Sequence, residues 1–81
     1  MKIPRDINGK ELVNLLKKFD YQVVRQTGSH IRLTRKSTFD HHITIPLHNP
    51  IKIGTLDSIL KDVAKHLQTT KNDLINMLKS I

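Results

Sequence analysis

Residues Arg25 to Arg35 read as strand, tight turn and strand, and the rest of the chain has to fold around that hairpin. Thr27-Gly28-Ser29 is the turn: Gly28 can take a positive φ at little steric cost, and Ser29 can hydrogen-bond nearby backbone. Beyond it, Ile31 and Leu33 alternate with His30, Arg32 and Thr34, the period of a half-buried strand. His41 to Pro46 repeats the pattern, with Ile43 and Ile45 on one parity and His42 and Thr44 on the other. The strand before the turn, Tyr21 to Gln26, is ambiguous because Val23 and Val24 are adjacent. If the isoleucines and Leu33 face a core, then His30, Arg32, Thr34, His42 and Thr44 share a solvent face, a common arrangement in antiparallel sheets.

Helical patterns flank the strands. Met1 to Ile7 is a lead-in in which Pro4 disfavours helix. Asn8 with Glu11 fits a capping box, and Leu12, Leu15, Leu16 and Phe19 form one stripe, which predicts a helix from Gly9 to Phe19. Pro46 to Gly54 reads as a loop pinned to the core by Ile51 and Ile53, with Thr55 as the next N-cap. Leu56, Ile59, Leu60 and Val63, with Leu67 a turn later, make the second stripe. Thr70 and Asp73 form an acidic variant of the capping box before Leu74, Met77, Leu78 and Ile81. Lys36 to Asp40 is a polar connection in which Phe39 fits neither pattern. The order α-β-β-β-α-α predicts an α+β domain, a three-stranded antiparallel sheet with helices on one face. It is read as one domain over 1–81, with a core of about 6–65 and a C-terminal helical extension of about 66–81.

The formal net charge is +7 on 81 residues, which favours nucleic acid or an acidic protein as partner. Between Tyr21 and Gly54 the cations Arg25, Arg32, Arg35, Lys36 and Lys52 face Asp40 alone, so the sheet and its loops carry much of the field. There is no cysteine, hence no disulfide framework and no thiolate metal site; a reducing cytoplasm fits. No apolar run approaches a membrane span and the N-terminus lacks a signal-peptide stretch, so neither membrane nor export is expected. Adjacent His41 and His42 point to opposite faces of a strand, and His30, His42 and His48 follow no zinc-ligand spacing. No metal and no cofactor are expected.

The pieces Asn8-Gly-Lys-Glu-Leu12, Arg25-Gln-Thr-Gly-Ser-His30, Ile43-Thr-Ile-Pro-Leu-His48 and Gly54-Thr-Leu-Asp-Ser-Ile-Leu-Lys61 occur in this order. In them the chain resembles the HicA family, the YcfA-like mRNA interferase toxins, from about Asp6 to Lys65. The resemblance implies a double-stranded-RNA-binding-domain-like fold and an endoribonuclease without a metal requirement that inhibits translation. It also implies neutralisation by a HicB-type antitoxin and a catalytic histidine at the Gly-Ser-His position, His30. The stretch Lys65 to Thr70 is less typical of the family.

The residues themselves fit such chemistry. RNA carries its own nucleophile, the 2′-OH; cleavage needs a base for that proton, an acid for the leaving 5′-oxygen, and cations for the developing phosphorane. An imidazole serves as base or acid near neutrality, and guanidinium groups bind phosphate bidentately. His30 is the candidate for proton transfer. Arg25, Gly28, Ser29, Arg32, Arg35 and Lys36 are the candidate RNA contacts, and His48 and His42 are auxiliary candidates. Two rivals stand beside this reading: a non-catalytic RNA-binding module using the same basic face, and a domain that binds an acidic protein. The last helical stripe reads as core, although a chain this small could use it to form a homodimer.

Overall fold

The structure, a computed structural model, describes residues 3–79. Its elements are α1 (Gly9–Lys17), β1 (Tyr21–Thr27), β2 (His30–Arg35), β3 (His41–Pro46), α2 (Ile53–Leu67) and α3 (Lys71–Lys79). The predicted order and class hold. The strands form an antiparallel sheet in the order β1-β2-β3.

α1 starts where the capping box demands. Asn8 Oδ1 accepts from the Glu11 N–H at 2.8 Å, and the Glu11 carboxylate accepts from the Asn8 N–H at 3.3 Å. The helix ends at Lys17, two residues before the predicted Phe19, because Asp20 takes a left-handed φ of 68° and turns the chain into β1. Leu12, Leu15 and Leu16 are fully buried, and Phe19 packs against the core from its rim.

From the sheet the core takes Leu33, Ile43 and Ile45, and from α2 it takes Leu56, Ile59, Leu60, Val63 and Ala64. Tyr21, Ile7 and Val13 are also buried, beyond the predicted stripes. α3 packs on α1 and α2 rather than on the sheet. It buries Leu74, Ile75 and Leu78, so the face considered for self-association is largely occupied within the chain. Ile81, the last residue of that predicted stripe, lies outside the described residues. Lys71 ties α3 to α2 by donating to Asp57 Oδ1 at 2.7 Å.

The segment between β3 and α2 is strapped to the rest of the chain. Leu47 N–H donates to Ser29 O (2.6 Å), Gly9 N–H to His48 O (3.1 Å) and Ile51 N–H to Ile7 O (2.8 Å). The strap passes so close to α1 that a Cβ on Gly9 would sit 2.8 Å from Leu47 Cα, which only glycine avoids. This anchoring moves the start of α2. With Ile51 fixed, the helix begins at once at Ile53, capped by Lys52 without a side-chain hydrogen bond; the expected cap Thr55 lies within the first turn. Ile53 is half exposed at the end of the core rather than pinned in it. Thr70 does cap α3, accepting from the Asp73 N–H at 3.1 Å. Asp73 in turn accepts from the Thr69 hydroxyl at 2.9 Å and does not close the box.

Candidate functional site

The face of the sheet turned away from the helices is laid out in cross-strand rows. Thr27, His30 and Pro46 form the row nearest the β1–β2 turn; Arg25, Arg32 and Thr44 form the next; Gln22, Thr34 and His42 form the last. Parity places the β2 and β3 members on this face as predicted, but Thr34, expected in solvent, is buried there, with its hydroxyl against the His42 ring. Arg25 gets there by another route. The register shifts between Val23 and Arg25, so Val23 stands opposite the buried Leu33 while Arg25, only two residues on, stands opposite outward Arg32. Val24 is the extra residue of this bulge, which re-aims a side chain that a regular strand would have turned inward.

Arg25 and Arg32 thus directly oppose each other, both exposed, and neither has an ion-pair partner among the described residues. Like charges at directly opposed sheet positions destabilise the pairing. An anion held between the two guanidinium groups reverses that effect, because phosphate and carboxylate match their fork geometry. One row along, His30 is exposed and its ring makes no hydrogen bond to the described residues. The turn beside it is open: Gly28 has φ 56° and nothing lies within 4 Å of where its Cβ would stand. Ser29 is held through its carbonyl by Leu47.

The other candidates separate from this group. Arg35 has inward parity. Its Nε donates to Phe19 O at 2.9 Å and its Nη1 lies 3.4 Å from His66 Nε2. Lys36 is exposed in the β2–β3 loop, 3.2 Å from Asp40. His42 is on the open face, its Nδ1 2.8 Å from the Thr34 hydroxyl. His48 lies off the sheet, lining a shallow cavity of about 270 Å³ at the start of α1 with Asn8, Gly9, Lys10, Leu47 and Asn49. Among the described residues no group of three or more His, Cys, Asp or Glu is placed to hold a metal ion.

A second polar cluster lies on the helix side, and sequence reasoning does not find it. The Tyr21 hydroxyl is 2.6 Å from His41 Nδ1, and His41 Nε2 is 3.2 Å from Asp62. The His41 ring stacks on His66 at 4.5 Å, with Arg35 beside it. Burial pushes the Tyr21 phenol up to about 12, against the opposing pull of Arg35. Desolvation first, then the charges of His41 and Arg35, hold His66 below the ordinary histidine value. An unfolded histidine takes up a proton near pH 6.5, whereas the folded chain resists doing so until lower pH. This contribution to stability is therefore complete above pH 6.5 and is lost as pH falls below it. Urea midpoints measured from pH 8 to pH 5 should drop over that window, and His66→Gln should flatten the curve. An unchanged slope in the variant would show that His66 is not the responsible group.

The inward parity of Arg35 and His41 is open to view in the sequence, since both continue the alternation of Ile31, Leu33, Ile43 and Ile45. Their partners on α2, Asp62 and His66, come from a distant part of the chain and carry no local signal.

The fold and the open face define a small basic α+β domain with two opposed arginines exposed on its sheet. The model of the HicA toxin family of bacterial toxin–antitoxin systems matches residues 9–64. That is more than half of the chain, and the chain belongs to this family. It is a toxin of a toxin–antitoxin pair, with an antitoxin as its partner. Comparison with curated proteins and with solved structures gives no match. Among the described residues no helix is long and apolar enough to cross a membrane.

Proposed function

We propose that this toxin is a metal-independent endoribonuclease of the mRNA interferase kind, that it acts in the cytoplasm to inhibit translation, and that a HicB-type antitoxin neutralises it by covering His30. The observation that supports this best is the exposed His30 one row from the opposed pair Arg25 and Arg32. The arginines hold a phosphate of the RNA and take up the charge that develops as the 2′-OH attacks phosphorus. His30 accepts the 2′-OH proton, or donates one to the leaving 5′-oxygen. Gly28 and Ser29 let the backbone of the turn come close to the RNA. Arg35 has its guanidinium engaged on the other face, so its part is to fix the end of β2, and Lys36 adds field from the loop.

One observation favours the alternative, a non-catalytic RNA-binding module on the same face. No second acid–base side chain is hydrogen-bonded to His30 among the described residues. Incubation with RNA in EDTA separates the two readings: cleavage products are expected, and intact RNA bound to protein would favour the binder.

Arg32→Ala tests the face itself. Taking one cation away from the RNA backbone should reduce the slope of log affinity against log salt by about 0.7 for a single strand. The same substitution relieves the Arg25–Arg32 repulsion, so the melting temperature should hold or rise. RNA binding that is absent, or independent of salt, would remove RNA as the ligand.

A further inference from the structure

Two features stand at the far end of the sheet from His30, one on its open face and one in the adjoining loop. Thr34 is buried, 4% exposed, and its hydroxyl is spent on His42 Nδ1. This bond fixes the plane of an otherwise exposed imidazole and leaves Nε2 without a hydrogen-bond partner among the described residues. The adjoining β2–β3 loop carries Phe39, 80% exposed. The loop is braced: Ser37 N–H donates to Asp40 Oδ1 (3.3 Å), the Ser37 hydroxyl to Phe39 O (2.7 Å) and Lys36 Nζ to Asp40 Oδ2 (3.2 Å). The ring is therefore presented on a fixed backbone rather than on a slack one. Asp40, the carboxylate at this end, is already engaged by Lys36.

An exposed imidazole held in one plane and a projecting aromatic ring are the parts of a nucleotide-binding subsite. Phosphate binds the imidazole, and any base stacks on the ring. Distance sets its place. At a strand rise of about 3.3 Å per residue, Thr34 and its neighbour His42 lie about 13 Å from His30 along the sheet. That is about four steps at the 3.4 Å rise of a stacked strand, and fewer for an extended one. His42 is thus too far away to exchange protons at the phosphate that His30 serves.

Resting on the ribonuclease reading above, we infer that Phe39 and His42, the latter held by Thr34, form a distal subsite. It binds single-stranded RNA several nucleotides from the phosphate handled by His30, so the protein selects substrates long enough to span both. An acidic protein on the same patch is the competing occupant.

The test uses the full chain carrying His30→Ala, so that binding is read without cleavage, with fluorescent single-stranded RNAs of two and of ten nucleotides. Phe39→Ala and His42→Gln are each expected to weaken binding of the ten-nucleotide RNA about tenfold. Each should also shrink the advantage of the longer RNA over the dinucleotide, with melting temperatures near the parent's. In the His30 protein the same changes should raise KM for long RNA more than they lower kcat. Unchanged affinity in either variant overturns the subsite, and so does a loss confined to antitoxin binding. Cleavage by the His30 protein, scored in parallel, keeps the two ideas apart. Cleavage with indifferent variants sinks only the subsite, whereas neither binding nor cleavage sinks the ribonuclease reading as well.

Discussion

His30→Ala is expected to reduce RNA cleavage by a factor on the order of 10²–10⁴, the usual worth of general acid–base catalysis. It is expected to abolish growth inhibition while leaving the fold intact. Position is the reason. His30 begins β2 on the open face, is exposed, and stands outside the buried cluster formed by Leu33, Ile43, Ile45 and the helices. Its removal should alter stability by only about 0.5 kcal/mol. Antitoxin affinity should be largely retained. The check is a time course of RNA cleavage by purified protein with EDTA present, alongside a thermal melt of the same sample. Cleavage at the parent rate would show that His30 takes no part in the chemistry. A melt far below the parent's would make the residue structural and strip the missing activity of meaning.

Leu16→Ala is expected to be the opposite kind of change. Leu16 is fully buried near the end of α1, within the cluster that joins α1, the sheet and α2. Truncation removes transfer energy and leaves a cavity that a packed interior closes only in part, at a cost of about 2–5 kcal/mol. A small domain has about 5–15 kcal/mol in all. The melting temperature should therefore fall steeply, and activity should disappear with the folded population. Activity per folded molecule should stay near the parent's where the variant is still folded. A melt unmoved by the substitution would contradict that core.

How far the sequence discloses this arrangement differs from strand to strand. In β2 and β3 the apolar residues alternate without interruption, so Ile31, Leu33, Ile43 and Ile45 declare the inner face and leave His30, Arg32, Thr34 and His42 for the outer one. β1 has no such clarity, because the bulge at Val24 changes its parity halfway along, and only pairing with β2 reveals that Arg25 opposes Arg32. The capping box at Asn8 is visible because all its parts lie within one helical turn. The start of α2 is not, because it is set by a hydrogen bond from Ile51 to Ile7, far away in the chain. Tyr21 is hidden for the same reason. Nothing near it in sequence indicates that its hydroxyl will meet His41 across the end of the sheet. Phe39 is conspicuous in the sequence but without a place, since it fits neither the helical nor the strand pattern and the structure leaves its ring exposed in the loop.

The division of the sheet into a packed face and an open one bears on the genetics of the toxin. Cells that must outgrow an unchecked copy will be recovered with inactivating changes, and the two faces yield two kinds of survivor. Changes at Leu33, Ile43 or Ile45 yield chains that cannot fold and are cleared by proteolysis. If the open face carries the activity as proposed, changes at His30, Arg25 or Arg32 should yield folded, abundant, harmless chains that still occupy the antitoxin. Such a chain is a dominant liability to any neighbour with an active copy, because it draws antitoxin away from the toxin that needs restraining. Sequenced survivors should therefore fall into unstable recessive alleles at Leu33, Ile43 and Ile45 and stable interfering alleles at His30, Arg25 and Arg32.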